Sequence, residues 1–248
     1  MGKADLHIHT TYSYDGTATV AATLEHVVRN TDLDVIAITD HDQIDGALEA
    51  TYLAARYDLE VVPGIEVSTA EGHLLALFVH RPVPMGLSLA ETVLAVGEQG
   101  GLCVAAHPGG PWSWCITELT LRRALLTPGV AETLVGLERY NASLPDLSIN
   151  DRAQAIHACI PLAAVANSDA HMLWMIGNAA TYFPGLGSAA LRTALRERTT
   201  APLISPRPAH FIASYVKHQA LRMVGLAHWS LPAPGSPIAL RRLAADVK

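Results

Sequence analysis

Asp34-Val35-Ile36-Ala37-Ile38-Thr39-Asp40-His41-Asp42 reads as a β-strand buried on both faces that ends abruptly in three ionisable residues. An unbroken apolar, largely β-branched run of this kind suits a parallel sheet covered by helices. Polar groups gathered just past such a strand mark a site built on the C-terminal edge of an α/β barrel or open sheet. The same pattern recurs along the chain. Asp5-Leu6-His7-Ile8-His9 puts two imidazoles on one face of a strand, Val61-Val62-Pro63-Gly64-Ile65 runs into Glu66, Leu102-Cys103-Val104-Ala105-Ala106 runs into His107, and Leu162-Ala163-Ala164-Val165-Ala166 leads to Asp169 and His171. Any one of these ends could be a solvated turn, but the set of them points to one shared site.

Working outward, the apolar pattern predicts strands at 4–9, 34–39, 59–66, 73–80, 102–107, 133–139 and 162–168. Helices are expected near 18–30, 45–57, 88–99, 117–126, 148–158 and 188–198. Ser88 with Glu91 three residues on is a capping box for the third of these helices, and Gly100-Gly101 is its stop. Alternation of strand and helix implies a parallel sheet with covering helices. Residues 172–187 read as an irregular, glycine-containing segment. Pro202, Pro206 and Pro208 read as a linker to a helical tail over 209–226 and 236–247 that packs on the outside of the barrel.

Half of the 248 residues are apolar and only 16% are charged, enough for one large core without a second globular domain. No apolar run reaches the roughly 18 residues of a membrane helix, and the N-terminus lacks the basic start and apolar core of a signal peptide, so a cytoplasmic protein is expected. Cys103, Cys115 and Cys159 have no CxxC spacing; Cys103 and Cys159 read as core residues rather than as a disulfide or zinc knuckle. Seventeen basic against 23 acidic residues give a net charge of −6, with no long basic run, which disfavours a duplex nucleic-acid surface.

His7-x-His9, Thr39-Asp40-His41-Asp42, Gly64-Ile65-Glu66, Ala106-His107-Pro108 and Ser168-Asp169-Ala170-His171 resemble, in order, the motifs of the polymerase and histidinol phosphatase (PHP) family of metallohydrolases. The resemblance implies a distorted TIM-like (β/α)7 barrel over residues 1–205, a short helical C-terminal extension over 206–248 packed on it, and two or three divalent ions, manganese, iron or zinc. Carried over residue by residue, it assigns His7, His9, Glu66 and Asp169 to one ion. Glu66 bridges to a second that also takes His107 and one histidine of the preceding strand. Asp15, His41 and His171 take the third. The extra histidine is expected to be His73, with His80 at the other end of that strand as the alternative. Asp40 is expected behind a ligating imidazole, fixing its orientation.

The implied activity is hydrolysis of a small phosphate mono- or diester by a metal-activated water, with His171, His41 or His80 protonating the leaving alcohol. Hydrolysis of a carbon ester, carbamate or amide on the same site is the alternative. Ser68 and Ser168 read as loop hydrogen-bonders, not nucleophiles. With Asp15, Glu66 and Asp169 as the anionic ligands, three divalent ions would leave a cationic pocket suited to a small anion. The short interval from Glu66 to His107 leaves no room for a large cap, which also favours a compact substrate. Trp112 and Trp114 either stack on the substrate or form a lid on the barrel. Arg139 either grips a phosphate, with Asn141 beside it, or pairs with a neighbouring carboxylate.

Overall fold

The computed structural model describes residues 1–206, 209 and 211–224. Among these residues nine strands form one sheet in the order β7-β6-β5-β4-β3-β2-β1-β8-β9. They are β1 (Gly2–Ile8), β2 (Val35–Ile38), β3 (Glu60–Thr69), β4 (Gly72–Leu77), β5 (Leu102–Ala105), β6 (Leu134–Asn141), β7 (Ala163–Asn167), β8 (Ala179–Phe183) and β9 (Ala201–Ile204). Neighbours pair in parallel from β1 to β3 and from β5 to β7, while β4 lies antiparallel to both β3 and β5. The helices are α1 (Val20–Asn30), α2 (Asp45–Ala54), α3 (Leu89–Glu98), α4 (Glu118–Leu125), α5 (Val130–Thr133), α6 (Ser148–Cys159), α7 (Gly187–Glu197) and α8 (Phe211–Met223). None is long and apolar enough to cross a membrane among the described residues.

Local chemistry explains where the helices start. Thr19 caps α1 by accepting from the Ala22 N–H, and Val20, Leu24 and Val27, spaced at i, i+4 and i+7, give α1 its buried stripe. The expected capping box of α3 is present, Ser88 and Glu91 each satisfying the other's backbone N–H.

Two strands were not legible as such. β8 falls in the segment read as irregular and β9 in the segment read as a linker; both add antiparallel to the β1 edge. They are only five and four residues long, and β9 contains Pro202, which a terminal strand of a sheet tolerates because its N–H side need not be paired.

The sheet curls until β7 meets β1, and side chains complete the seam. Ala170 donates its N–H to the His7 carbonyl at 3.1 Å and accepts from the His9 N–H at 2.9 Å. Asn167 Oδ1 accepts from the Leu6 N–H at 2.9 Å across this seam, and beside it the Thr181 hydroxyl of β8 serves both the N–H and the carbonyl of Ala166 on β7, at 3.0 and 2.9 Å. Backbone groups that a closed ladder would pair are thus satisfied by a hydroxyl and an amide.

Alternation along the strands sorts the core. Leu6, Val35, Ala37, Val62, Leu75, Leu77, Val104 and Val165 form the interior cluster, and Leu191, Ala194 and Leu195 of α7 join it and close the lower end. The opposite faces, Ile36, Ile38, Leu74, Ala76 and Leu137 among them, pack against the outer helices. Cys103 is buried as expected, but Cys159, the last residue of α6, is exposed.

Candidate metal centre

The interior column changes character at its top. On β4, Leu77 and Leu75 belong to the apolar interior and the next residue on that face is His73, whose Nδ1 lies 2.9 Å from Glu66 Oε1. Because β4 runs antiparallel, its first residues, not its last, stand at the C-terminal ends of the parallel strands. His80 lies past the other end and is exposed, so the structure places His73, and not His80, with the other candidates. Gly72, just before His73, has φ +129° and a Cβ there would stand 2.7 Å from the Ile116 nitrogen, so the turn into β4 needs glycine.

Glu66 is the hub. Its Oε1 lies 2.9 Å from His73 Nδ1 and 3.0 Å from His107 Nε2. Its Oε2 lies 3.1, 3.3 and 3.2 Å from His7 Nε2, His9 Nε2 and His41 Nδ1. Asp169 Oδ1 approaches the Nε2 atoms of His9 at 3.2 Å and His7 at 3.5 Å. Asp15 Oδ2 sits 3.0 Å from His171 Nε2 and 3.4 Å from His41 Nε2. All nine groups singled out in the sequence as ligands therefore converge. Three sets hold ligand atoms within 4.8 Å of one another: His7, His9 and Glu66; His41, Glu66 and His73; His9, Asp15, His41 and His171. His9 and His41 thus stand between neighbouring sets instead of belonging to one each.

The chain shapes the backs of these imidazoles. His7 Nδ1–H donates to Glu138 Oε1 at 2.9 Å and His171 Nδ1–H donates to the Asp169 carbonyl at 2.9 Å. Ser13 Oγ lies 3.0 Å from His9 Nδ1 and accepts from the His41 N–H at 2.8 Å, linking two of the groups. Left-handed backbone at His107 (φ 29°), Asp169 (φ 51°) and Asp42 (φ 54°) concentrates strain here. Hydrogen bonds hold it in place: the His107 N–H donates to Glu138 Oε2 at 2.8 Å, and Asp42 accepts from the Ser68 N–H and hydroxyl at 2.7 and 2.8 Å.

This arrangement fits divalent cations. With Nδ1–H of His7 committed to Glu138, its Nε2 lone pair faces the lone pairs of Glu66, and two acceptors at 3.1 Å repel unless a positive charge lies between them. The Nε2 atoms of His7 and His9 and Nδ1 of His41 are buried without a hydrogen-bond partner. Nitrogen and carboxylate donors in this mixture suit transition metals such as manganese, iron or zinc. In the protein alone, protons take that place. Burial disfavours the His9 imidazolium, but Asp169 and Glu66 outweigh it and push its pKa up to about 10. Burial would likewise raise the Glu66 carboxyl, yet the imidazoles of His7, His41 and His73 hold it well below the usual carboxylate range.

Several residues expected at the site do other work. Asp40 accepts from the N–H and hydroxyl of Thr10, at 2.6 and 2.7 Å, and not from an imidazole; the buried carboxylate behind an imidazole is Glu138. Arg139 is the extra residue where the β6–β7 register shifts, and that bulge turns it out to a groove beside Asn150 and Asp151 of α6, away from the mouth. Asn141 is buried, its amide donating to Glu138 at 3.0 Å and Asp169 at 3.1 Å, and it is not among the residues lining the cavity. Trp114 lines the cavity, edge-on to His107 at 4.8 Å, while Trp112 stacks parallel behind it at 4.7 Å.

Glu138 and Asp5 were missed by sequence reasoning. Glu138 takes hydrogen bonds from His7, His107, Asn141 and Asn167. Asp5 ties β1 to the loop after β7 by accepting from the Ser168 and Gly177 N–H groups, both at 3.0 Å, and burial pushes its pKa up to about 6. Above the cluster opens a cavity of about 370 Å³, lined in part by Phe211, Ile212, Tyr215 and Val216 of α8, whose Phe211 and Tyr215 also pack into the outer-helix cluster. The second tail helix, over 236–247, lies outside the described residues.

Comparison with known proteins agrees with this geometry. The PHP domain family matches residues 5–121 and the PHP-associated family matches residues 148–200. An uncharacterized protein of Methanocaldococcus jannaschii is 39% identical over 118 residues, 44% of this chain and 69% of that protein. The 3′,5′-nucleoside bisphosphate phosphatase of Chromobacterium violaceum is 34% identical over 98 residues, 39% of this chain and 32% of that enzyme. The crystal structure of a two-domain Bacteroides vulgatus protein containing a predicted PHP-like metal-dependent phosphoesterase superposes with a TM-score of 0.67 at 18% identity, over 87% of this chain and 69% of that one, a likeness of fold. Matched by both families in their order along the barrel, and by a relative of which it spans more than two thirds, the chain belongs to the PHP family.

Proposed function

We propose that the protein is a metal-dependent phosphoesterase that hydrolyses a small phosphate mono- or diester. The observation that carries this reading is Glu66, a buried carboxylate whose two oxygens face five imidazoles at 2.9–3.3 Å. The relative named as a nucleoside bisphosphate phosphatase supports the choice of phosphorus over carbon chemistry.

His7, His9, Glu66 and Asp169 would hold one ion, Glu66, His73 and His107 a second, and Asp15, His41 and His171 a third. Bound divalent ions would supply Lewis acidity, lowering the pKa of a water and neutralising phosphate oxygens. The rest falls to the chain. Glu138, Ser13 and the Asp169 carbonyl fix the His7, His9 and His171 rings, so the site is organised before substrate arrives. We place delivery of the proton to the leaving alcohol on a water admitted beside Asp15, His41 and His171, which line the cavity but whose own nitrogens and oxygens are taken up as ligands or by the Asp169 carbonyl. α8 and Trp114 restrict water above the reacting centre.

Purified protein loaded in turn with manganese, zinc and iron should release phosphate from p-nitrophenyl phosphate, or nitrophenol from its bis ester, and leave p-nitrophenyl acetate intact. Cleavage of the acetate alone would replace this reading with the carbon-ester one. Bound metal without turnover on any of the three would refute both.

A further inference from the structure

One short segment touches both histidines assigned to the second ion. The chain leaves His107, turns through Gly109 and Gly110, and returns over residues 114–116. There the Trp114 carbonyl accepts the His73 N–H at 3.0 Å, and the Ile116 carbonyl accepts the Gly109 N–H at 2.9 Å. Between them Cys115, 3% exposed, places its Sγ 3.8 Å from His107 Nδ1, within hydrogen-bond reach of a sulfur. The Cys115 N–H donates to the Trp112 carbonyl at 3.0 Å, which fixes the thiol's origin. The fit is close on both sides. A Cβ on Gly110 would collide with Sγ, and one on Gly72, just before His73, would stand 2.9 Å from the Cys115 carbonyl carbon.

The other ligand rings have oxygen partners at Nδ1: Glu138 for His7, the Asp169 carbonyl for His171 and the Ser13 hydroxyl for His9. At His107 a thiol takes that place. With Nδ1–H donated to sulfur, the Nε2 lone pair faces Glu66 Oε1 at 3.0 Å, two acceptors that call for a cation between them. A partner on the far nitrogen fixes the tautomer and the orientation of a ligating imidazole. Resting on the metal assignments in the reading above, we infer that Cys115 is a positioning residue: its thiol accepts the His107 Nδ1–H and so sets the ring that completes the second ion's site, with no part in holding the other ions.

Calorimetric titration of the metal-stripped full chain with zinc tests this. Cys115→Ala should weaken one class of zinc equivalents about 10- to 100-fold and leave the others unchanged. Cys115→Ser keeps a hydrogen-bonding atom and should recover part of that loss. A cysteine that only fills space predicts the opposite order, because serine also buries a hydroxyl. Gly110→Ala, which keeps the cysteine but drives a methyl group into Sγ, should weaken the same equivalents, and it decides the matter if Cys115→Ala does not fold. Unchanged affinity in Cys115→Ala or in Gly110→Ala would overturn the inference, as would uniform weakening of every equivalent or serine no better than alanine. Phosphate release from p-nitrophenyl phosphate is read separately. The stated shifts in zinc binding without turnover in the unaltered protein would refute the phosphoesterase reading and leave the inference standing, whereas no zinc bound by the unaltered protein would refute both.

Discussion

The two ends of the barrel are made by the same strands and obey opposite rules. At the lower end, Leu77, Leu102 and Phe183 pack with Leu191 and Leu195 of α7 in a dry, apolar plug. At the upper end, one residue past the last inward apolar side chain, imidazoles and carboxylates crowd together with three ring nitrogens lacking hydrogen bonds and with backbone in left-handed conformations. A sheet interior thus serves two purposes along a single axis: the lower layers supply the stability that lets the top layer be electrostatically frustrated and strained.

Substitutions should separate the ends, and the largest effect is expected at the hub. Glu66→Gln keeps the volume but removes the charge shared by five imidazoles, and should lower both bound metal and kcat/KM by about 1000-fold or more; metal analysis and a phosphate-release assay measure the two. Retention of full metal content would show that the carboxylate is structural. At the lower end, Leu77→Ala should cost about 2–5 kcal/mol in urea unfolding with unchanged turnover per folded molecule. A loss of turnover there would mean the ends are not separable.

Glu138→Gln tests the layer between them. By weakening the restraint on His7 and the His107 backbone it should reduce metal affinity or activity about 10- to 100-fold, with little change in KM.

A smaller effect separates the ends by pH. In metal-free protein the His9 pKa is raised from 6.5 to about 10. A raised folded-state pKa stabilises fully below the unfolded value, and that stability is lost as pH rises through the folded one. Metal-free protein should therefore melt at a lower temperature at pH 9.5 than at pH 6.5, and added manganese should restore more at the higher pH because it replaces the departing proton. A flat metal-free profile would contradict the charged reading of the cluster. The smallest effect belongs to His80→Ala, which lies beyond the apolar end and should change neither metal content nor kcat/KM.

The sequence revealed the upper end better than what supports it. Most ligand candidates follow an apolar run, so the pattern that announces a buried strand also announces where it ends, and His7, Glu66, His107 and Asp169 could be picked out one motif at a time; His73 opens its strand and Asp15 lies in a loop. Glu138 could not. It lies inside β6 next to the bulge that reverses which neighbours face inward, so Arg139 and Asn141 looked like mouth residues while the buried carboxylate looked like a salt-bridge partner. Asp40 was misread because its partner, Thr10, comes from a loop distant in sequence. The strands β8 and β9 are too short for a two-residue period to show, and the docking of α8 over the mouth depends on Trp174 and His171, which no local pattern connects to Phe211 and Tyr215.

The join between the first and seventh strands has one more consequence. His7 and His9 sit on one side of it, Asp169 and His171 on the other, and the contacts across it are few and rely partly on one asparagine amide. A cation gripped from both sides would act as a rivet through that join, so loading the centre and keeping the barrel shut would become one equilibrium, and stripping the metal should loosen the molecule first along this line.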